Sequence, residues 1–228
     1  MTVKLKPKQT IIALDVSSLE ETKNLLSIVD KDLFRLKVGK QLFTSQGPKA
    51  IDKLISLGFD IFLDLKLHDI PNTVKKSIES LTSLPIKMLT VHTSGGKDMM
   101  SAAMEAVSGT GIKVFGVTVL TSLSDQDTAA IFNKMSSEQV EAMLDVAESA
   151  SIDGVVCSPH ELMQVKKRES LLSITPGIRL QDSDDDQKRV MTPKKAIDLG
   201  ADYLVIGRPI TSSENIGESL NEIFQSIQ

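Results

Sequence analysis

The sequence predicts an α/β fold of the (β/α)8 TIM-barrel class, and three observations favour it. Short β-rich runs alternate with helical patterns along the chain, in eight strand–helix units over 228 residues. Such alternation is typical of a parallel sheet with helical crossovers, and a (β/α)8 barrel typically has about 250 residues. Polar residues recur where the runs end, which is the active-site face of such barrels. A doubly wound open sheet is the competing architecture, and residues 1–228 are expected to form a single barrel domain.

The predicted strands are short runs rich in β-branched and aliphatic residues. In chain order they are Thr10–Val16, Phe34–Gly39, Asp60–Leu67, Met88–Thr93, Lys113–Leu120, Gly154–Ser158, Leu172–Thr175 and Tyr203–Gly207.

The predicted helices lie between these runs and show apolar residues at helical spacing. In chain order they are Leu19–Val29, Pro48–Leu57, Pro71–Leu81, Lys97–Val107, Ser137–Ala150, Pro159–Lys167, Pro193–Leu199 and Glu214–Gln225. Gly58, Gly111 and Gly200 each stand a few residues before a strand, where a helix end or a turn often needs glycine.

Composition limits the classes of function. The hydrophobic fraction of 41% and the charged fraction of 25% are ordinary for a globular protein with a large core. The net charge of −4 gives no general attraction to nucleic acid or to an anionic membrane. No apolar stretch is long enough for a secretory signal or a membrane span. Cys157 is the single cysteine, so no internal disulfide can form, and a reducing, cytoplasmic location is expected.

The segment of residues 61–73, IFLDLKLHDIPNT, carries the strongest functional pattern. Side chains of a strand alternate between its two faces, so Asp64 and Lys66 share one face of this strand. Burying a carboxylate and an ammonium costs roughly several kcal/mol per ion before they pair. A charged pair on the inward face of a strand therefore indicates a functional site.

Other predicted strands also end in polar residues. They are Asp15, Lys37, Thr121 with Ser122, residues 175–179 (TPGIR) and residues 207–209 (GRP). Lys37 shares a strand face with Arg35, which is then expected to point into the barrel at a deeper level. Asp15 could instead cap the helix that follows it, and Asp69 could stabilise a helix N-terminus through its dipole. His92 and His160 show no metal-ligand spacing and are interpreted as structural, so no metal site is predicted.

A phosphate site is the second predicted feature. Gly177 and Gly207 follow the seventh and eighth predicted strands, where barrels of this class often bind phosphate. Glycine lets backbone N–H groups approach an anion, and the guanidinium of Arg208 offers a bidentate fork for it.

At these residues the chain resembles the orotidine 5′-phosphate decarboxylase family, in its short, monofunctional bacterial form. The resemblance covers essentially the whole chain and is strongest at residues 64–73, DLKLHDIPNT. Supporting motifs follow in the family's order at residues 13–15, 36–39, 117–122, 175–179 and 206–209. The acidic run of residues 182–186 is unusual beside a predicted phosphate loop, and it is not expected to change the reaction.

The resemblance implies a lyase of pyrimidine biosynthesis that converts orotidine 5′-monophosphate (OMP) to UMP and CO2 without a metal or other cofactor. It implies a network of alternating charge in which Lys66 protonates C6 of the pyrimidine and Asp64 lies beside the substrate carboxylate. The other members of that network are Lys37 and Asp69. The residues implied to bind substrate are Asp15 and Lys37 at the ribose, Thr121 at the pyrimidine, Asp64, Asp69, Ile70, Asn72, Thr73 and Pro176 elsewhere in the site, and Arg179, Gln187, Gly207 and Arg208 at the phosphate. Family sites lie at a dimer interface, so Asp69 and Thr73 are expected to reach the neighbouring subunit's site in a homodimer.

Two alternatives remain open at this point. Mg²⁺-dependent sugar-phosphate decarboxylases and aldolases of the same superfamily share the Asp-x-Lys-x-x-Asp pattern, but they carry an acidic metal ligand on the second strand. This chain has Lys37 there, which would repel a cation, and its continuation through residues 70–73 also favours the nucleotide enzyme. A catalytically silent phosphate-binding barrel is the alternative from another class.

Overall fold

A computed structural model describes residues 7–179 and 190–227, and its parallel strands close into a barrel. The strands are β1 (Thr10–Leu14), β2 (Phe34–Gly39), β3 (Ile61–Leu67), β4 (Met88–His92), β5 (Lys113–Val117), β6 (Gly154–Val156), β7 (Leu172–Thr175) and β8 (Tyr203–Ile206). Strands that are neighbours in sequence pair with each other, and β8 also pairs with β1. The predicted (β/α)8 class is therefore confirmed, and the open-sheet alternative is wrong.

Helices surround the barrel, and at least one helix follows each strand. They are α1 (Lys23–Ile28), α2 (Lys40–Gln46), α3 (Pro48–Ser56), α4 (Pro71–Leu81), α5 (Gly96–Ala106), α6 (Asp125–Phe132), α7 (Ser136–Ser149), α8 (Leu162–Val165), α9 (Pro193–Asp198), α10 (Arg208–Thr211) and α11 (Ile216–Ile227). Short 3₁₀ turns precede α1, α5 and α8.

The helices α2, α6 and α10 were not predicted from the sequence. The C-terminal cap of α2 is Gly47, whose φ of 61° is a conformation that favours glycine, and α3 begins at once with Pro48. Helix α6 begins at a capping box, in which the hydroxyl of Ser124 accepts from the backbone N–H of Asp127. Its C-terminal cap is Asn133, in the left-handed region. All three helices are short and have few buried residues, so apolar periodicity does not show them.

The core has two layers. An inner cluster fills the barrel and includes Ile11, Phe62 and Phe115. A larger cluster lies between the strands and the helices and includes Ile61 and Leu63. Residues 61–63 thus alternate between the two layers, as period-two geometry requires, and Asp64 falls on the inner side.

Arg35 lies at the amino-terminal end of the barrel interior, below the inner cluster. Its guanidinium carbon is 5.3 Å from the centre of the Tyr203 ring. Its Nη1 donates to the carbonyl oxygen of Lys8 at 3.0 Å, and its Nε is 3.6 Å from a carboxylate oxygen of Asp60. Arg35 therefore points inward at a deeper level, as expected, and its guanidinium interacts with groups at the amino-terminal end of the barrel, away from the mouth.

Within the described ranges, no helix combines the length and the apolar character that crossing a membrane requires.

Gly154 allows β6 to approach its neighbours closely. A Cβ atom at this position would lie 2.3 Å from the carbonyl oxygen of Leu172 and 2.7 Å from a ring carbon of Phe115. Backbone cannot give way as a flexible side chain can, so the narrow packing here depends on glycine.

We expect Gly154→Ala to lower the free energy of unfolding by about 2 kcal/mol or more, because the added methyl overpacks the barrel wall. Gly217→Ala is the matched control, since a Cβ there meets nothing closer than 3.6 Å and alanine favours the helix. Thermal and urea unfolding of the two variants test this. Equal stabilities would contradict the packing argument.

Candidate active site

The carboxyl-terminal ends of the strands surround a cavity of about 770 Å³. Active sites of (β/α)8 barrels lie at this end. The side chains of Phe62, Ile174 and Val205 belong both to the inner core and to the cavity lining. The floor of the cavity is therefore the top of the apolar barrel core.

Four charged side chains form a row along one wall of the cavity, supplied by β2, β3 and the residue that follows β1. The ammonium of Lys37 is 2.8 Å from a carboxylate oxygen of Asp15 and 3.7 Å from one of Asp64. The ammonium of Lys66 is 2.6 Å from the same oxygen of Asp64. Negative and positive groups thus alternate along the row, and the carboxylate of Asp64 is shared by two lysines.

Asp64 is held in its ionised form by these neighbours. Burial raises the pKa of its carboxyl group, but the charges of Lys37 and Lys66, with hydrogen bonds from Lys66 and Thr90, outweigh burial and bring the pKa below 3.8. The carboxylate therefore carries its full charge at neutral pH.

Lys66 has a backbone conformation that is rare in strands. Its φ is 52°, in the left-handed region, although it lies within β3 and carries a long side chain. The pairing of β3 with β4 also shifts register between Leu63 and Leu67. Bulges and strained residues of this kind occur often at functional sites, where they re-aim a side chain.

Asp15 does not cap the helix that follows it. The hydroxyl of Ser18 accepts from the backbone N–H of Glu20 and caps the turn that precedes α1. The carboxylate of Asp15 instead accepts from Lys37 at the cavity wall. The capping alternative raised from the sequence is therefore wrong for Asp15.

The loops after β7 and β8 complete another part of the cavity wall. The lining there includes Pro176, Arg179, Gly207 and Arg208, and Thr121 lines the cavity from the loop after β5. Arg179 is buried, and its Nη1 donates to the carbonyl oxygen of the preceding residue at 2.9 Å. Two guanidinium groups in one cavity form a local positive region in a chain of negative net charge.

The remaining predicted site residues do not line this cavity. Asp69, Ile70, Asn72 and Thr73 are exposed, on the loop after β3 and at the start of α4. A carboxylate oxygen of Asp69 accepts from the backbone N–H of Ile70 at 2.7 Å, and α4 has no side-chain cap. Gln187 and the acidic run of residues 182–186 lie outside the described residues.

Thr90 and His92 on β4 adjoin the charged row, and the sequence did not single out Thr90 or give His92 a role in the site. Thr90 is buried and hydrogen-bonds to Asp64, and it stands within an apolar run whose pattern gives no sign of this. The ring of His92 is 5.3 Å from that of His68. Burial first, and then the charges of His68 and Lys66, lower the pKa of His92 from 6.5 to about 4, so it is neutral at pH 7. Among the described residues, no three His, Cys, Asp or Glu side chains are grouped so that they could hold a metal ion.

A parallel barrel with alternating lysines and aspartates at its mouth, and arginines in the same cavity, is of the class that holds a small anionic ligand at the ends of its strands. The model of the Orotidine 5'-phosphate decarboxylase / HUMPS family matches residues 8–223, and the chain belongs to this family. The resemblance stated from the motifs is thereby confirmed.

Individual relatives agree with the family match. An orotidine 5'-phosphate decarboxylase of Saccharophagus degradans is 47% identical over 221 residues, which are 94% of this chain and 93% of the relative. One of Pseudoalteromonas translucida is 45% identical over 230 residues, covering 98% of each chain. The crystal structure of orotidine 5'-phosphate decarboxylase from Lactobacillus acidophilus is similar with a TM-score of 0.83 and 34% identity, over 97% of this chain and 99% of that one.

We expect His92 to make the folded protein less stable as the pH falls from 6.5 to about 4. In this window the unfolded chain binds a proton at His92 that the folded protein does not, so the free energy of unfolding decreases with falling pH. With allowance for solvent screening, the change due to this one group is about 1–2 kcal/mol.

Urea unfolding of wild type and His92→Asn between pH 7.5 and pH 4 measures this contribution. The difference in stability between the two proteins is expected to change across the window in favour of the variant. His160→Asn is the control, since His160 is an exposed histidine outside the site. A pH-independent difference for His92→Asn would reject the assignment.

Proposed function

We propose that this protein decarboxylates OMP to UMP and CO2 in pyrimidine biosynthesis, without a metal or other cofactor. The observation that carries the proposal is the Lys66 ammonium, held 2.6 Å from the buried carboxylate of Asp64 at the mouth of the barrel. The family match and the printed names of relatives at 45–47% identity support it.

The chemistry requires a fixed positive charge beside C6 of the pyrimidine. The bond between C6 and the carboxylate carbon breaks, CO2 leaves, and the electron pair stays on C6 in the plane of the ring, where the π system does not delocalise it well. The ammonium of Lys66 stabilises this charge and then transfers one proton to C6, which gives UMP. The resulting amine takes up a proton from solvent before the next turnover.

The carboxylate of Asp64 acts in two ways in this proposal. It orients the Lys66 ammonium through their ion pair, and it lies beside the substrate carboxylate. Repulsion between the Asp64 carboxylate and the substrate carboxylate raises the energy of the bound substrate, and it is relieved when CO2 leaves.

The rest of the cavity positions the nucleotide. We assign Asp15 and Lys37 to the ribose, Thr121 and Pro176 to the pyrimidine end, and Arg179, Gly207 and Arg208 to the phosphate. Guanidinium groups and glycine N–H groups suit a phosphate dianion. Gln187, outside the described residues, remains a predicted phosphate ligand. Binding energy from the phosphate, far from C6, can hold the reacting ring in place.

The Mg²⁺-dependent alternative is disfavoured by the charge of Lys37. Its ammonium lies between the carboxylates of Asp15 and Asp64, the two acids of the row that could otherwise ligate a cation. A divalent ion there would have to displace a charge that already satisfies both acids.

The first test is the ultraviolet absorbance of OMP with purified protein, with and without EDTA. EDTA-insensitive conversion to UMP is the expected result. Conversion that EDTA abolishes, or turnover only of sugar phosphates with Mg²⁺, would overturn the proposal, and ligand binding without CO2 release would indicate a catalytically silent barrel.

We expect Lys66→Ala to lower kcat by about 10³-fold or more, because it removes both the positive charge and the proton donor. UMP affinity is expected to stay measurable by calorimetry, since the phosphate ligands are intact. Lys53→Ala, an exposed lysine on α3, is the matched control and should keep wild-type turnover. Wild-type-like turnover of Lys66→Ala would reject the role of Lys66.

The proposal includes a homodimer in which Asp69 and Thr73 reach into the partner's site, with Ile70 and Asn72 on the same exposed segment. These residues are exposed and outside the cavity of their own subunit, and 67% of Ile70 is exposed although it is apolar. An apolar side chain on an active-site loop suits burial against a second copy.

A cytoplasmic location and a single barrel domain over residues 1–228 also form part of the proposal, and the lone Cys157 fits a reducing compartment.

The shared site predicts complementation between two inactive variants. In a heterodimer of Lys66→Ala and Asp69→Ala subunits, one site has both defects and the other has neither. Co-expression at equal levels makes half of the dimers mixed, so about a quarter of wild-type activity is expected, whereas each variant alone is nearly inactive. No recovery in purified heterodimers would show that Asp69 acts within its own subunit.

A further inference from the structure

The hydroxyl group of Thr90 hydrogen-bonds to both Asp64 and Lys66, the two charged residues of β3. Thr90 is fully buried on β4. Its Oγ1 donates to a carboxylate oxygen of Asp64 at 3.0 Å and accepts from the backbone N–H of Lys66 at 2.8 Å. It does not line the cavity, so any effect on the reaction must pass through these two residues.

The position of Thr90 opposite the irregular part of β3 explains why a side chain is needed there. Leu63 is the partner of Leu89 and Leu67 is the partner of Val91, so the three residues from Asp64 to Lys66 face Thr90 alone. A regular ladder cannot satisfy backbone groups across such a bulge. In this irregular stretch the backbone N–H of Lys66 donates to the hydroxyl of Thr90.

The same bond holds Lys66 in its unusual conformation. A left-handed φ of 52° at a lysine persists only where the surroundings determine it. The Lys66 N–H to Thr90 bond fixes the backbone from which the ammonium projects. Threonine is also stiff at χ1, so its hydroxyl is a fixed anchor.

The hydrogen bond from the Thr90 hydroxyl to Asp64 gives the two carboxylate oxygens different partners. Oδ1 accepts from Thr90, while Oδ2 faces the ammonium groups of Lys66 and Lys37 at 2.6 and 3.7 Å. The carboxylate cannot rotate without breaking one of these contacts. One buried hydroxyl thus fixes both the plane of the Asp64 carboxylate and the backbone of Lys66.

We propose that Thr90 is a positioning residue for the decarboxylation, which fixes the Lys66 ammonium and the Asp64 carboxylate relative to each other. The inference rests on the proposed function, because it concerns the same two reacting side chains. The geometry of the charged row then depends on the hydrogen bonds of Thr90 on β4 as well as on the ion pairs within the row.

Thr90→Val removes the hydroxyl and keeps the shape, and we expect it to lower kcat about tenfold to a hundredfold while KM changes less than about threefold. Thr90→Ser keeps the hydroxyl and is expected to recover most of kcat. Thr93→Val is the matched control, since Thr93 is an equally buried threonine near the end of β4 whose hydroxyl bonds to the carbonyl of Val117. If Thr90→Val does not fold, Thr90→Cys, with a weaker donor and acceptor of similar size, takes its place with the same expected direction.

Amide hydrogen exchange at Lys66, measured by NMR, gives a second readout without turnover. Thr90→Val is expected to speed exchange at this amide, and Thr93→Val is not. If wild type does not turn over OMP, the proposed function fails, and this readout alone decides whether Thr90 holds Lys66.

Four results would overturn the inference. One is a kcat of Thr90→Val within twofold of wild type, and another is an equal loss in Thr90→Ser, which would assign the effect to packing. The third is an unchanged exchange rate at the Lys66 amide in Thr90→Val. A loss of kcat in Thr93→Val as large as in Thr90→Val would likewise reduce the effect to general destabilisation.

Discussion

The sharing of one carboxylate by two ammonium groups is the constraint around which the mouth of this barrel is organised. Asp64 is buried between Lys37 and Lys66, and its charge is tolerated there because both partners are close. The charge of Lys37 is in turn neutralised by Asp15, whose side chain is mostly exposed, so the row reaches solvent at this end. Each member depends on its neighbour for neutralisation, so the row acts as one electrostatic unit, and its members are not independent salt bridges.

The apolar barrel core strengthens the electrostatic interactions within the charged row. The side chains below the row exclude water from one side, so charges there interact more strongly than they would at a solvated surface. The closed sheet also limits how far the strand ends can move. A rigid frame with a fixed set of charges needs little rearrangement when negative charge develops on a ligand, which is the physical basis of electrostatic preorganisation.

The cavity of one chain brings together only part of the residues that the family resemblance assigns to the site. The charged row, Thr121 and the two arginines line one cavity, whereas the exposed segment of residues 69–73 does not. The two acids of the motif, Asp64 and Asp69, therefore do not line the same cavity of one chain. In the proposed dimer the ion pairs hold the lysine, and the partner completes the network from the other side.

Much of the site could be predicted because it depends on local patterns. Period-two alternation put Asp64 and Lys66 on one face of β3, and the strand count put Gly207 and Arg208 at the same mouth. The helices α2 and α6 were missed because they are short and bury few residues, so their sequences show little apolar periodicity. The role of Thr90 was missed for a different reason, since a threonine within an apolar strand looks like any β-branched core residue.

The sequence by itself determined the barrel class, the family and the identity of the charged residues, because alternation of elements and motif spacing are properties of neighbours along the chain. Only the tertiary structure decided which of these residues share a cavity, that Asp69 does not, and that Thr90 bridges Asp64 and Lys66. Those facts depend on the register between β3 and β4 and on closure of the whole sheet. Register across a bulge follows from the packing of every strand in the barrel, which no local stretch of sequence contains.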